Sequence, residues 1–260
     1  MEHKDLKQVF WLASYPKSGN TWIRHIMTYL FFDIHDREKV GIQISKNCPD
    51  IHELKSNITK VPSVSFLDKN ISFVKTHSCG KIDIFKNINT MGFIYIFRHP
   101  LDVLISSINH AYIKERNHFF HDKRLHSVEE LKNTSQLDIY INSFMKDLNI
   151  DLFMDMSDSW INNVQSWIEL SKSYQDRSII FKYEKLIDDP VCEFQKLKNI
   201  FPVTEKSVVN AIEFANKHTN DGGKFFWKKK SNTHQEYFNP MLVDEFYSKY
   251  SCLLEKLDYL

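Results

Sequence analysis

Residues 15–22, Tyr-Pro-Lys-Ser-Gly-Asn-Thr-Trp, have the composition of an anion-binding turn. They follow an apolar run of strand length at residues 9–14 and precede a pattern of helical spacing. A strand–turn–helix directs backbone N–H groups and the positive end of a helix towards one point, where an anion is stabilised. Lys17 adds a full positive charge, and Ser18 and Thr21 offer hydroxyl groups. The predicted ligand is therefore a phosphate or a chemically similar group.

This turn differs from the phosphate loop of nucleoside triphosphatases. That loop reads Gly-x-x-x-x-Gly-Lys-Ser/Thr, with the lysine directly after a glycine. Here Lys17 stands two residues before Gly19, and no glycine precedes it in the chain. A standard ATPase or GTPase is therefore not favoured. For this segment on its own, an ordinary strand–turn–helix with a capping Ser or Thr stays open as the alternative.

Three further predicted strands also end in residues that can do chemistry. A purely structural explanation has to treat this recurrence as coincidence. The strands and the residues that follow them are 71–74 with Lys75, Thr76 and His77; 92–97 with Arg98; and 178–181 with Lys182, Tyr183 and Glu184.

His77 is the predicted general base. An unperturbed imidazole has a pKa of about 6.5, so its neutral form is available near neutral pH. A lone histidine is more often structural or exposed, but the position of His77 at a strand end, two residues after Lys75, favours a catalytic role. Cys79 is a rival nucleophile, although no second cysteine or obvious carboxylate partner accompanies it.

Arg98 and Ser106 form a second candidate anion site across a predicted strand-to-helix turn. Arginine binds phosphate through two parallel hydrogen bonds, and a serine hydroxyl adds another. The alternative, equally open at this point, is an ion pair between Arg98 and Asp102 with Ser106 facing solvent.

The alternation of strands and helices predicts a parallel sheet with right-handed crossovers. In such sheets ligands bind at the carboxyl ends of the strands, so the four strand ends are expected to meet at one site. A short helix is predicted near residues 50–54, and residues 115–155, which are polar and lack steady periodicity, are predicted to cover a site or to be partly disordered. Other predicted helices are 21–32, 100–113, one with an apolar face at Trp160, Val164, Trp167 and Ile168, and three beginning near Pro190, Thr204 and Pro240.

The composition fits one domain with a substantial core. The chain has 260 residues, of which 42% are hydrophobic and 14% aromatic. Its net charge of +1 gives no signature of nucleic-acid binding. The N-terminus lacks the apolar run of a signal peptide, and no stretch approaches membrane-spanning length. The four cysteines are scattered, without paired spacing. We therefore expect a soluble, cytoplasmic protein with reduced thiols and no membrane partner.

Taken together, these segments resemble the soluble sulfotransferases that use 3′-phosphoadenosine 5′-phosphosulfate (PAPS). Residues 15–22 resemble the family's 5′-phosphosulfate loop, and residues 97–106 its 3′-phosphate segment. Residues 75–77 resemble the segment with the catalytic histidine, and residues 181–184 the strand that supplies an adenine-contacting tyrosine. Order and approximate spacing match from about residue 9 to residue 230. The resemblance implies a single α/β domain over residues 1–260, with a central parallel sheet flanked by helices in the P-loop-like sulfotransferase fold.

The resemblance also implies a role for each matching residue. Lys17 contacts the sulfuryl group and the leaving phosphate oxygen, and Lys75 stabilises charge in the transition state. His77 removes a proton from a hydroxyl or amine of a small-molecule acceptor. The product nucleotide is adenosine 3′,5′-bisphosphate (PAP), and no metal is expected. The implied nucleotide contacts are Ser18, Gly19, Asn20 and Thr21 for the 5′-phosphate, Arg98 and Ser106 for the 3′-phosphate, and Trp22 and Tyr183 for adenine.

The sequence departs from the family pattern in three places. An Arg-Lys-Gly run followed by Gly-Asp-Trp-Lys is usual near the C-terminus, whereas residues 222–228 read Gly-Gly-Lys-Phe-Phe-Trp-Lys. Lys224 is the candidate to replace the missing Arg-Lys pair at the 3′-phosphate. The family's dimerisation segment is not recognisable, so a homodimer is left open. Residues 115–155 look longer than in compact members and are expected to act as an insertion or lid that shapes acceptor choice. Three histidines there form a pocket or metal site or, more simply, are solvated: His118, His121 and His126.

Two alternatives from other classes stay open at this stage. The first is a nucleoside or small-molecule kinase with a variant phosphate loop, although no glycine-rich opening and no obvious Mg²⁺-binding Asp after a strand support it. The second is a nucleotide-binding protein that kept the fold and lost catalysis, against which His77, Lys17 and Lys75 argue.

Overall fold

The computed structural model describes residues 8–32, 34, 39–54, 60–66, 69–81, 88–116, 126–132, 134–219 and 228–260. These residues contain a five-stranded sheet with helices packed on both faces. The strands are β1 (Gln8–Ser14), β2 (Val64–Phe66), β3 (Lys69–Thr76), β4 (Asn89–Phe97) and β5 (Ser178–Lys182).

The strand order across the sheet is β2-β3-β1-β4-β5. Pairing is parallel between β3 and β1, between β1 and β4, and between β4 and β5, so the predicted parallel arrangement is confirmed for these four strands. The sheet as a whole is mixed because β2 runs antiparallel to β3 at the edge. Because β2 has only three residues, it is too short to show the alternation of apolar and polar side chains that predicts a strand. The carboxyl ends of the four parallel strands meet at one edge.

Ten α-helices lie within the described residues, and none of them is long and apolar enough to cross a membrane. The helix α3 coincides with the predicted helix 100–113 because Pro100 occupies a first-turn position, where its missing N–H costs nothing. The helices are α1 (Asn20–Phe31), α2 (Val40–Asn47), α3 (Pro100–Ile113), α4 (Val128–Leu131), α5 (Gln136–Asp147), α6 (Trp160–Ser171), α7 (Tyr183–Asp188), α8 (Pro190–Gln195), α9 (Glu205–Thr219) and α10 (Pro240–Lys256).

The central strand β1 divides the core into two layers. Trp11 and Ala13 face a cluster built with α3, α5, α6 and α10. Phe10 and Leu12 face the opposite cluster, built with α1, α8 and α9. Because successive side chains of a strand point to opposite faces, one continuous apolar run fills both layers. Burial on both faces fixes the position of the turn that follows β1.

Two segments differ from the sequence-based expectation. The prediction of irregular structure over 115–155 is wrong for α5, whose side chains Leu137, Ile141 and Phe144 are buried in the core. His118 and His121 lie outside the described residues. The helix predicted near 50–54 is also wrong, since these residues form turns, whereas α2 (Val40–Asn47) was not predicted. Only two residues of α2 are buried, so its sequence shows little helical periodicity.

Candidate active site

The turn between β1 and α1 has a backbone that few residues adopt. Both Lys17 (φ 66°) and Gly19 (φ 103°) have positive φ. A Cβ atom at Gly19 would lie 2.9 Å from Cδ2 of Tyr183, too close for van der Waals contact, so the position requires glycine. The side-chain Nδ2 of Asn20 donates to the carbonyl oxygen of Leu12 at 2.8 Å and ties the turn to β1. The turn is therefore held in place by the protein itself.

Five buried polar side-chain atoms in or beside this turn have no hydrogen-bond partner among the described residues: Tyr15 Oη, Ser18 Oγ, Asn20 Oδ1, Trp22 Nε1 and Arg98 Nε. Buried polar groups are normally paired, and each one left without a partner costs about 1–3 kcal/mol. Ser18 is fully buried at 0% exposure. The N–H donors of Trp22 and Arg98 belong to residues that line a cavity beside the turn, so a ligand with oxygen acceptors can pair with them, and the site fits a phosphate-bearing group.

A cavity of about 430 Å³ lies at the carboxyl ends of the parallel strands, a volume typical of ligand sites. Ser18 is buried in the turn without lining the cavity, and Lys224 lies outside the described residues. The cavity brings together the other candidate residues: Lys17, Gly19, Asn20, Thr21, Trp22, Lys75, His77, Arg98, Ser106 and Tyr183.

The cavity wall also contains residues that the sequence did not single out. Phe153 and Met156 bring apolar surface from the chain after α5, and Asn216 brings an amide from α9. Lys229 lines it after the segment in which the Arg-Lys pair is missing, next to Lys228, whose Trp-Lys match to the family pattern does mark it in the sequence. No local motif marks the other positions, because their distance from the turn in sequence hides their proximity in space.

Positive charge is concentrated in this cavity. Burial, and next the charges of Arg98 and Lys75, lower the pKa of Lys17 to about 8. The shift shows that the ammonium of Lys17 is held out of water beside other cations, which disfavours its charged form. A bound anion would stabilise the charged form of Lys17 and of the cations beside it, so the electrostatics of the cavity favour a ligand with several negative charges.

Arg98 follows β4 and is held by three contacts. Its Nη2 donates to the carbonyl oxygen of Lys230 at 3.0 Å and lies 3.4 Å from Oδ2 of Asp102. Its guanidinium carbon lies 4.4 Å from the ring centroid of Tyr183. The alternative pairing with Asp102 is therefore present, yet Arg98 and Ser106 both line the cavity. Asp102 thus orients the guanidinium without withdrawing it from the site.

His77 lies at the end of β3 and is buried at 8% exposure. Its Nδ1 lies 2.8 Å from the carbonyl oxygen of Ser14. Because a carbonyl oxygen can only accept, Nδ1 carries the hydrogen and Nε2 keeps its lone pair. Burial, and next the charge of Lys75, lower the pKa of His77 to about 3, so the imidazole is neutral near neutral pH. A neutral, oriented imidazole on the cavity wall has the properties of a proton acceptor.

Lys75 forms an ion pair that the sequence did not indicate. Its Nζ lies 2.5 Å from Oδ2 of Asp50, and both side chains are largely buried. Asp50 and Lys75 are also neighbours in an isolated parallel bridge. No motif marks Asp50, since 25 residues separate it from its partner.

Cys79 lacks the features of a nucleophile. It is buried, and this burial raises the pKa of its thiol, so the reactive thiolate is disfavoured. It does not line the cavity. Within the part of the chain that the structure describes, no group of three or more His, Cys, Asp or Glu residues is placed to hold a metal ion.

A family model described as "Sulfotransferase domain" matches residues 7–258. The chain belongs to the sulfotransferase family. This match covers the turn after β1, His77, Arg98 and Tyr183, which are the segments on which the sequence resemblance rests. The predicted family is thereby confirmed.

Curated relatives of this sulfotransferase-family chain are distant. It is 27% identical over 207 residues to "Sulfotransferase 1 family member D1" of Rattus norvegicus, which covers 77% of this chain and 61% of the rat protein. It is 25% identical over 198 residues to "Sulfotransferase 1B1" of Mus musculus, covering 74% of this chain and 58% of the mouse protein. The matches thus span less than two thirds of either relative.

Solved structures confirm the sulfotransferase fold. Mouse sulfotransferase SULT7A1 complexed with PAP has a TM-score of 0.60 at 17% identity, covering 96% of this chain and 84% of that one. Retinol dehydratase in complex with androsterone and inactive cofactor PAP has a TM-score of 0.55 at 17% identity, covering 95% and 80%. The predicted α/β class with helices on both sides of one sheet is confirmed.

Proposed function

We propose that this chain transfers the sulfuryl group of PAPS to a hydroxyl or amine of a small-molecule acceptor, with His77 as the general base. The observation that carries the proposal is the convergence of Lys17, Arg98 and a neutral His77 in one cavity. The PAP named in two structures of similar fold supports the choice of nucleotide.

The cavity offers a partner for each part of the nucleotide. The 5′-phosphate is assigned to residues 18–21, of which Gly19, Asn20 and Thr21 line the cavity. The 3′-phosphate is assigned to Arg98 and Ser106, which line the same cavity. Adenine is assigned to Trp22 and Tyr183, and the apolar side chains beside them in the wall fit a planar base. Lys224 stays a candidate for the second cation at the 3′-phosphate.

The proposed step moves one proton and one electron pair. The acceptor O–H or N–H gives its proton to Nε2 of His77, and the freed lone pair forms the new bond to sulfur. The bond from sulfur to the 5′-phosphate oxygen breaks, and its electron pair stays with PAP. Lys17 places positive charge at that oxygen, and Lys75 stabilises charge in the transition state. Positioning and electrostatics of this kind supply most of the catalysis in the related phosphoryl transfers.

The two alternatives make different predictions. A kinase is not favoured by the family match or by the order of Lys17 and Gly19 in the turn. His77 has a fixed Nδ1–H and keeps the lone pair of Nε2, an arrangement for which a non-catalytic nucleotide-binding protein has no use.

The proposed partners are PAPS and a small acceptor, without nucleic acid or membrane; a homodimer stays open. Four free cysteines suit a reducing compartment, so the cytoplasm is the proposed location.

Purified protein is expected to release PAP from PAPS only when a suitable acceptor is present. Candidate alcohols, phenols, amines and carbohydrates are incubated with PAPS, and both PAP and sulfated product are measured by mass spectrometry. Parallel reactions contain ATP and Mg²⁺ in place of PAPS. Phosphorylated product from ATP, with none sulfated from PAPS, would establish the kinase alternative. PAP binding without turnover on any acceptor would favour the non-catalytic protein.

Arg98→Ala is expected to weaken PAP binding by about 1.5–3 kcal/mol, the range for a hydrogen bond to a charged group. Adenosine 5′-phosphate lacks the 3′-phosphate, so its binding should change much less. Calorimetric titration of both nucleotides checks the difference, and Arg177→Ala, at an exposed arginine, is the matched control. Equal losses for the two nucleotides contradict the assignment of Arg98 to the 3′-phosphate.

A further inference from the structure

The chain around Asp50 is fixed against the end of β3 by backbone hydrogen bonds. The N–H of Lys75 donates to the carbonyl of Pro49 at 2.8 Å, and the N–H of Ile51 donates to the carbonyl of Lys75 at 2.9 Å. Nε of Arg24, on α1, donates to the carbonyl of Cys48 at 2.7 Å and ties this chain to the helix after the turn. Asp50 therefore has a position set by the same elements that build the active site.

Both carboxylate oxygens of Asp50 have partners in the protein. Oδ2 lies 2.5 Å from Nζ of Lys75, and Oδ1 accepts from the backbone N–H of His52 at 3.1 Å. Burial acts to raise the pKa of Asp50, but the charge and hydrogen bond of Lys75, together with His77 and the N–H of His52, lower it more, so the net pKa is lowered. Asp50 is thus ionised near neutral pH. Lys75 lines the cavity whereas Asp50 does not, so the carboxylate reaches the site only through its partner.

We propose that Asp50 is a positioning residue of the transfer reaction: its carboxylate fixes the ammonium of Lys75 at the cavity wall and offsets the repulsion between Lys75 and a protonated His77. The inference rests on the proposed function. Asp50 does not line the cavity, so it does not contact the substrates and acts through Lys75.

The charges around His77 give the physical reason. When His77 takes the acceptor's proton, a buried imidazolium forms beside the ammonium of Lys75, and this like charge opposes the transfer. Besides burial, Lys75 lowers the pKa of His77, the hydrogen bond to Ser14 and then the charge of Asp50 raise it, and His52 lowers it least. Asp50 therefore offsets part of the effect of the cation next to the base, and its hydrogen bond with Lys75 holds that ammonium at the wall.

Asp50→Asn is expected to lower kcat at least about tenfold, while the Kd for PAP changes less than about threefold, because the lost interaction acts on the transition state. Asp50→Glu, which keeps the charge, should recover most of the rate. Glu53→Gln is the matched control at an exposed carboxylate three residues away and should leave kcat unchanged. An unchanged kcat in Asp50→Asn, or a failure of Asp50→Glu to exceed Asp50→Asn, overturns the inference.

A double-mutant cycle with Lys75→Met tests whether Asp50 acts through its partner. Asp50→Asn in the Lys75→Met background should cost less than about twofold in kcat, since residues that act as one unit are not additive. The double variant also removes both buried charges, so it stays interpretable if Asp50→Asn alone unfolds. Losses that multiply overturn the inference. If the wild-type protein binds PAP but transfers no sulfuryl group, the proposed function fails. If the wild-type protein is active and Asp50→Asn is equally fast, only the role of Asp50 fails.

Discussion

His77→Gln is expected to lower the rate of sulfuryl transfer by about 100-fold to 10,000-fold, the usual contribution of a general base. A glutamine fills similar space and can still donate to the carbonyl of Ser14, so the wall should keep its shape. It cannot take up a proton near neutral pH. PAP binding should therefore stay within about threefold of wild type, because a rate loss without a binding loss identifies a group that acts in the transition state. Single-turnover kinetics with PAPS and the best acceptor measure the rate, and calorimetry measures binding.

The matched control for this variant is His126→Gln. His126 is exposed and does not line the cavity, so the substitution changes a histidine without touching the site. Its rate should equal that of wild type. Turnover that persists in His77→Gln means that another group takes the acceptor proton, and the assignment of His77 as the base then fails.

Lys17→Met is expected to lower the transfer rate by about 100-fold to 1,000-fold, comparable to the loss of one preorganised donor in an oxyanion site. The reason is that Lys17 supplies positive charge where the leaving oxygen becomes negative. Nucleotide binding should weaken as well, since the ammonium lies in the turn assigned to the 5′-phosphate. Lys46→Met, at an exposed lysine on α2, is the matched control and should change neither quantity.

The pH dependence of PAP binding tests the same residue independently. With the pKa of Lys17 lowered to about 8, the free protein loses this charge as pH rises through that value. PAP affinity should therefore fall above that pH, by up to about tenfold per pH unit because one proton is linked to binding. In Lys17→Arg the guanidinium stays charged over this range, and the affinity should be nearly constant. A wild-type affinity that does not change up to a pH of about 9.5 contradicts the assignment of Lys17 to the phosphate site.

The sequence predicted the parallel core and most of the candidate site because both depend on local order along the chain. The turn after β1, His77 after β3 and Arg98 after β4 each lie next to a strand that its own composition reveals. Once the strands are parallel, their ends must meet, so the convergence in one cavity follows without knowledge of the loops.

Other features could not be predicted in this way, for different physical reasons. Asp50 reaches Lys75 through a bridge between segments that share no pattern. The apolar side chains of α5, by contrast, recur at helical spacing at Leu137, Ile141 and Phe144, but the polar residues around them obscured that periodicity. The edge strand β2 is too short to carry a signal of its own. Long-range ion pairs thus leave no local pattern in the sequence, whereas α5 leaves one that its polar residues make weak.

The end of β1 has a consequence for attempts to redesign this protein. Ser14, whose carbonyl fixes the imidazole, and Lys17, in the donor turn, are three residues apart on one rigid segment. A substitution that displaces this segment disturbs both halves of the chemistry together, and no compensating change at a single position restores them. Libraries that aim at new acceptors should therefore leave β1 intact, together with Phe153, whose ring packs on Tyr15, and vary Met156, a half-buried residue of the cavity wall.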